Sequence, residues 1–238
     1  FRLRGDPELW SWCVRFLSNC SKSQALINTE RMLRVALYSR KQLNKLKKET
    51  GIDYDQLNKG ILHFYRDPKE LAAASGRIQA MIDLGLERRL VDTDTCIELE
   101  PALKSAAENN LIRGGIFTPG DESGNTHAFC IALAELCVKM GVKFYYDSPI
   151  KRLIIKNGTF REVETKTDTF EAENCVVALG SYSPLLLKPL GINLPVYPVK
   201  GYSITLPVTN QEAAPQVSLI QDELKLVYSR FGSRLRVA

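Results

Sequence analysis

The sequence predicts a mixed α+β fold in which a Rossmann-like α/β part is interleaved with a second part built from antiparallel sheet and helices. Three observations carry that expectation. Through the first half of the 238 residues, apolar side chains recur mainly at helical spacing. Through the second half they alternate or run together between turn residues, as in strands. One of those runs, Cys175-Val176-Val177-Ala178-Leu179, stops at Gly180 and reads as a strand buried on both faces of a sheet.

In chain order, Asp6-Pro7 supplies a cap and a first-turn proline, with Trp10, Cys13, Val14 and Leu17 on one helix face. A long helix follows over about 23–49, with Leu26, Leu33, Ala36, Leu37 and Leu43 on its inward side and Gly51 as its stop. Residues 60–66 read as a strand. Asp67-Pro68-Lys69-Glu70 opens a third helix with a capping carboxylate and a glutamate three residues on, and that helix ends near Gly85. A short helix from about Asp94 stops before Pro101.

Residues 114–118 form the next expected strand, and a loop spans 119–125. Thr126 then caps a helix with Phe129, Leu133, Cys137 and Met140 in one stripe, closed by Gly141. Val142, Phe144 and Tyr146 alternate as a strand. Segments 150–155 and 160–165 flank Asn157-Gly158, a strong hairpin turn signal. After Gly180 come a short helix near 183–190, a strand over 196–206 and a hairpin over 225–237.

The length suits one large domain or two intertwined ones, and 45% apolar with 25% charged residues is an ordinary globular mix. The net charge of +5 is concentrated in the long helix, at Arg31, Arg34, Arg40, Lys41, Lys45, Lys47 and Lys48 against Glu30 and Glu49. Such a face can meet phosphate, anionic lipid or acidic protein; the simpler reading is a solvated face with cations near the helix C-terminus. The six cysteines lack C-x-x-C or zinc spacing and read as small buried hydrophobes in a reducing compartment. There is no run of 18 apolar residues and no signal-peptide pattern.

Several chemistries are set aside by the sequence. Gly180-Ser181-Tyr182-Ser183 lacks the spacing of a hydrolase nucleophile turn, only His63 and His127 could serve as imidazole bases, and neither HExxH nor a Walker A loop occurs. No G-x-G-x-x-G occurs, and aromatic–basic interleaving for nucleic acid is missing, so no nucleic-acid partner is expected. What remains is Gly180, placed after a strand where α/β sheets bind ligands. It is either a tight turn or a point of close backbone approach.

The run from Val176 to Pro184 resembles the second FAD-contact segment of the D-amino acid oxidase-like family of FAD-dependent oxidoreductases. Val196-Tyr197-Pro198-Val199-Lys200-Gly201-Tyr202-Ser203 and Phe117-Thr118-Pro119-Gly120-Asp121-Glu122-Ser123-Gly124 resemble its bacterial D-amino acid dehydrogenase subgroup (small-subunit type). So do the opening Phe1-Arg2-Leu3-Arg4 and the stretch from Ser229 to Arg236. The resemblance covers nearly the whole chain in order.

It implies FAD as cofactor and oxidative deamination of D-amino acids such as D-alanine to 2-oxo acids and ammonia. Electrons would pass to a quinone or other respiratory-chain acceptor, and the location would be cytoplasmic, peripheral on the inner face of the bacterial inner membrane. It also implies a substrate part over 1–125 and 193–238 around an FAD part over 126–192. Its glycine-rich phosphate loop would lie ahead of Phe1 and its closing strands beyond Ala238. The chain is therefore expected to be an internal fragment, with FAD weakly bound or absent and no activity alone.

The same resemblance places Ile150 on the hairpin edge beside the adenine, and Ala178, Leu179 and Gly180 near the phosphates or ribitol. Tyr182 stands where the family often has Trp. Lys200, Gly201 and Tyr202 would sit near the flavin ring, with Lys200 able to stabilise charge on the reduced flavin, Tyr202 toward substrate, and Arg230 or Arg234 facing the substrate site. Each has a simpler alternative: Ile150 as an ordinary strand residue, Lys200 as a surface lysine, Asp121 as a turn organiser and His127 as a first-turn residue. Alternatives for the whole are an amine oxidase of glycine or sarcosine oxidase type, or a non-catalytic interaction module keeping the fold.

Overall fold

Helix α1 (Pro7–Ser18) begins where the sequence places it, with the Asp6 side chain accepting from the backbone N–H groups of Glu8 at 2.9 Å and Leu9 at 3.3 Å. A computed structural model describes residues 5–238; the Phe1-Arg2-Leu3-Arg4 segment lies outside the described residues. The inward face of α1 is Leu9, Trp12 and Cys13, whereas the expected Trp10, Val14 and Leu17 are exposed. The Trp12 ring decides the rotation: it stacks on Phe16 at 5.2 Å and meets Tyr197 at 6.2 Å. Helix α2 (Lys22–Thr50) ends at Gly51. Leu33, Leu37, Leu43 and Leu46 are half-buried along it, together with Arg40 and Lys47, while the expected Leu26 and Ala36 face outward.

Strand β1 (Ile61–Tyr65) leads into α3 (Pro68–Asp83), where Asp67 accepts from Lys69 N–H at 2.8 Å. The partner of the Asp67 N–H differs from the expected Glu70. Glu223 Oε1 accepts from both Arg66 N–H (2.7 Å) and Asp67 N–H (3.1 Å). Then come β2 (Arg89–Val91), α4 (Thr93–Leu99), a 3-10 turn at Pro101–Leu103, α5 (Lys104–Glu108) and β3 (Gly114–Thr118). Helix α6 (Thr126–Lys139) is capped by Asn125, whose Oδ1 accepts from Ala128 N–H at 3.3 Å, one residue ahead of the expected Thr126.

Strands β4 (Ile150–Lys156) and β5 (Thr159–Thr165) form the expected hairpin, and β6 (Thr169–Glu171) joins them in the order β4-β5-β6. Asn157 and Gly158 have φ of 53° and 74°, the paired positive values of a type I′ turn, which matches the twist of the strands it joins. Helix α7 (Ser183–Leu187), β7 (Ile204–Pro207), β8 (Ser218–Gln221), β9 (Leu226–Phe231) and β10 (Arg234–Val237) complete the order.

Two expected strands are not strands, and of the third, 196–206, only the end from Ile204 is one. A strand needs a neighbouring strand for its N–H and C=O groups, and 142–146, 175–179 and 196–203 join no sheet among the described residues. Aromatic contacts hold the first instead: Phe144 stacks on Tyr146 at 5.7 Å and Tyr145 meets Phe170 at 4.4 Å. The second is exposed, with Val176 at 90%. In the third, the Tyr197 hydroxyl donates to Asp6 Oδ2 at 2.7 Å, tying the segment to the start of α1.

The chain divides into two units. One takes the described residues up to Lys22 together with Met140–Lys200, and the other takes Ser23–Lys139 with Gly201–Ala238. The second holds a seven-stranded sheet ordered β2-β3-β1-β8-β9-β10-β7, in which β1 and β8 run parallel and the other pairs antiparallel. Alternation along β1 sends Leu62 and Phe64 to one face, where Phe117, Leu219, Cys96 of α4 and Leu103 close the main core. Tyr65 and Ile116 point the other way onto Ala74 and Ile78 of α3.

Two charged anchors fix this second unit. Glu100 is 0% exposed, and among the described residues its recorded partners are backbone N–H groups, not cations. Its Oε2 accepts from Gln216 N–H at 2.5 Å and Val217 N–H at 2.8 Å, and its Oε1 accepts from Ala102 N–H at 3.1 Å. The carboxylate thus pins the backbone leading into β8 to the end of α4. The other anchor joins α2 to the 119–125 loop: Lys47 donates to Glu122 Oε2 at 2.5 Å, Tyr54 donates to Glu122 Oε1 at 3.0 Å, and Arg40 lies 3.6 Å from Asp121. Burial, reinforced by Glu122, pushes the Tyr54 hydroxyl up to about 12.

Glu100→Ala strands three backbone donors and is expected to cost roughly 3 kcal/mol or more of unfolding free energy, with Glu100→Gln losing less because one oxygen remains. Urea unfolding checks this, and a Glu100→Ala chain as stable as the parent would refute the anchor. On α2, exposure should separate two lysines. Lys47 and Glu122 side chains are 14% and 19% exposed, so Lys47→Met is expected to cost about 2 kcal/mol. Lys45 and Glu49 are 68% and 60% exposed, so Lys45→Met should change stability by no more than about 0.5 kcal/mol.

Candidate functional site

In the first unit the expected site residues gather at one turn and one strand. Gly180 opens a 3-10 turn over Gly180–Tyr182 with φ of 55°, a left-handed conformation that other residues adopt only under strain. A Cβ at Gly180 would meet nothing within 4 Å, so in this chain the glycine serves the bend rather than a close approach. The turn closes on itself: Tyr182 N–H donates to Leu179 O at 3.0 Å, and Leu179 N–H donates to the buried Ser183 Oγ at 3.2 Å. Helix α7 then packs against β4, the strand that Ile150 opens. Ala178 and Tyr182 are exposed beside the bend, Tyr182 at 70%.

Lys200 is the last residue of this unit, whereas Gly201, Tyr202 and Arg230 belong to the other. Tyr202 is exposed. Arg230 is engaged within its own unit, donating from Nε to Gly232 O of its hairpin turn at 3.1 Å and from Nη2 to Gln211 Oε1 in the segment between β7 and β8. Asp121 pairs with Arg40 and so organises its loop, and His127 lies exposed in the first turn of α6. The cysteine expectation holds only in part. Cys96 is buried, and burial with the nearby Asp92 charge raises its thiol to about 12, which leaves it unreactive. Cys13 and Cys137 are half-buried, but Cys20, Cys130 and Cys175 are exposed.

The first unit also has a groove of about 250 Å³ between α1 and the 184–197 segment, lined by Trp12, Arg15, Leu185, Lys188 and Tyr197. Lys188 donates to Glu8 at 2.6 Å across it.

The second unit contains a polar cluster that the motifs do not announce. His63 and Tyr65, two apart on β1, share the α3 face of the sheet, a spacing readable in sequence; their partners are not. Tyr65 donates to Asp222 Oδ2 at 2.7 Å, and His63 Nδ1 lies 3.0 Å from the same oxygen. Arg88 Nη2 lies 3.0 Å from His63 Nε2, while its Nε donates to Thr118 Oγ1 at 3.1 Å and its Nη1 to Met81 Sδ at 3.3 Å. Arginine has only donors, so Nε2 must accept and the imidazole proton must sit on Nδ1, directed at Asp222. Burial, aided by the Arg88 charge, holds His63 below its usual 6.5 despite Asp222 and Asp121. Burial and the bond to Asp222 raise the Tyr65 hydroxyl. Burial works to raise Asp222, but the bonds from Tyr65 and His63 outweigh it and the carboxyl lies below its usual value.

Comparison with known proteins places this geometry in a family. Residues 9–238 match the family of FAD dependent oxidoreductases abbreviated DAO. The D-amino acid dehydrogenase of Paramagnetospirillum magneticum is 50% identical over 235 residues, which is 99% of this chain and 55% of that protein. The D-amino acid dehydrogenase of Dechloromonas aromatica is 44% identical over 100% of this chain and 58% of its own length. The chain thus spans little more than half of these relatives. Among solved structures, glycine oxidase of Geobacillus kaustophilus superposes with a TM-score of 0.69 at 22% identity, covering 92% of this chain and 56% of its own. L-proline dehydrogenase of P. horikoshii gives 0.71 at 18%, covering 86% of this chain and 54% of its own. Those two likenesses establish the mixed α/β fold. The family match, running through both units, establishes that the chain belongs to the DAO family of FAD-dependent oxidoreductases.

Proposed function

We propose that the full-length protein carries out FAD-dependent oxidative deamination of D-amino acids, D-alanine among them, to 2-oxo acids and ammonia. The observation that carries this is 50% identity to a D-amino acid dehydrogenase over 99% of the chain. When bound, FAD would take the hydride from the substrate α-carbon and pass electrons to a quinone or other respiratory acceptor.

The residues present fit one side of that cofactor. The exposed bend at Ala178, Leu179, Gly180 and Tyr182, backed by α7 against the β4 edge at Ile150, offers backbone for a ribitol, phosphate or adenine to lie along. A phosphate-cradling glycine loop is not among the 238 residues. Lys200 and Gly201 would lie by the flavin ring, and Tyr202 and Arg230 toward substrate; the resemblance supports these roles. Residues 126–192 are read on the same ground as the cofactor part and 1–125 with 193–238 as the substrate part.

Arg31, Lys41 and Lys48 point outward on α2, while Arg34 pairs with Glu30. This supports a peripheral contact with anionic lipid on the inner face of the bacterial inner membrane.

Full-length protein should reduce a quinone analogue with D-alanine and not with L-alanine; turnover of glycine or sarcosine instead would favour the oxidase reading. Lys200→Met in that protein should slow the reaction at least about tenfold with FAD retained. The 238-residue chain alone should be colourless, and stoichiometric visible flavin in it would overturn the expectation that the chain alone does not hold FAD. Reversing Arg31, Lys41 and Lys48 should abolish sedimentation with anionic vesicles; unchanged sedimentation removes the membrane contact.

A further inference from the structure

We propose that His63 is an acid-operated latch: neutral, it holds Arg88 and through it the 84–88 connection and edge strand β2, and proton uptake at Nε2 releases them. The geometry permits one arrangement. Nδ1–H faces Asp222, and Nε2 accepts from Arg88 at 3.0 Å. A second proton would place an N–H, and a positive charge, against a guanidinium that can only donate. His63 would stay where it is, because Nδ1–H still has Asp222. Arg88 is therefore the group that leaves, giving up Thr118 and Met81 as well.

What Arg88 holds is weakly held otherwise. Residues 82–85, 87, 89 and 90 are exposed, and β2 is a three-residue edge strand paired with β3 alone. The charged and titratable groups facing the cluster are Asp222, Tyr65, Arg88 and Asp121, with Arg77 acting on Tyr65 and Lys225 on Asp222. Asp222 and Asp121 favour the imidazolium; burial and Arg88 oppose it, and they prevail.

The sign follows. Folding lowers the His63 pKa, so the stabilisation is complete above 6.5, where both states are neutral. It is lost as pH falls from there to the folded value, because the unfolded chain takes up the proton first.

Hydrogen-exchange protection factors, corrected for intrinsic rates, test the latch in the 238-residue chain. Between about pH 7 and pH 5, protection over 84–91 should drop by up to about tenfold for each pKa unit by which Arg88 lowers His63. His63→Gln can still accept from Arg88 and donate to Asp222 but cannot titrate, so its protection there should be flat. A second readout does not depend on that variant folding. In the ring NMR titration, with only His63 and His127 to assign, Arg88→Met should raise the His63 pKa. A His63→Gln chain with the parent's pH dependence, unaltered protection while the His63 ring titrates, or an unmoved pKa in Arg88→Met would each sink the proposal.

Discussion

The position of β8 rests on one buried carboxylate. Glu100 takes two backbone N–H groups from the residues leading into that strand, 116 and 117 positions further along the chain. A carboxylate buried at 0% exposure costs several kcal/mol unless its oxygens are filled, and here backbone donors fill them. The consequence is register. With 216 and 217 fixed, Leu219 falls beside Leu62 in the core, and Asp222 and Glu223 arrive at the far end of β1. Asp222 then meets His63 and Tyr65, and Glu223 takes the two N–H groups that open α3. A shift of one residue in β8 would turn Leu219 out of the core and dismantle both sets of bonds.

What the sequence made legible is what short-range chemistry decides. Asp6 and Asp67 cap helices two residues on, and Asn157-Gly158 closes a hairpin between strands it touches. Each can be read within a window of a few residues because donor and acceptor lie within it. Apart from the α6 cap, which moved one residue to Asn125, the main readings that changed depended on a remote partner. The inward face of α1 turned on Tyr197 meeting Trp12. The Asp67 N–H went to Glu223, 156 positions away, instead of to Glu70. Strand β8 is a four-residue stretch whose burial needs Glu100, and no local pattern announces that. Of the candidate site, the bend at Gly180 was visible as a bend; the cluster around His63 was visible only as an i, i+2 pair on a strand.

The basic run on α2 shows how one charge pattern divides by depth. Arg40 and Lys47 lie on the half-buried side and hold the 119–125 loop through Asp121 and Glu122. Arg34 and Lys45 take i, i+4 partners that water screens. Arg31, Lys41 and Lys48 remain on the outer side. Only this third set contributes an open positive surface, so the charge available to a partner is smaller than the composition suggests.

The turn after Leu179 and the run before it obey different rules. The turn carries its own bonds, from Ser183 Oγ and from Leu179 O, and is complete without neighbours. Among the described residues the run Cys175-Val176-Val177-Ala178-Leu179 joins no ladder and is exposed except at Val177, and burying a valine side chain such as Val176 would contribute about 1.5–3 kcal/mol. A strand laid beside it would satisfy its backbone and bury that surface together, without altering the bend at Gly180. The conformation that presents backbone to a ligand is therefore local to this chain, whereas the sheet that would carry it is a matter of long-range pairing. That asymmetry explains why the motif could be recognised although the burial expected of it was wrong.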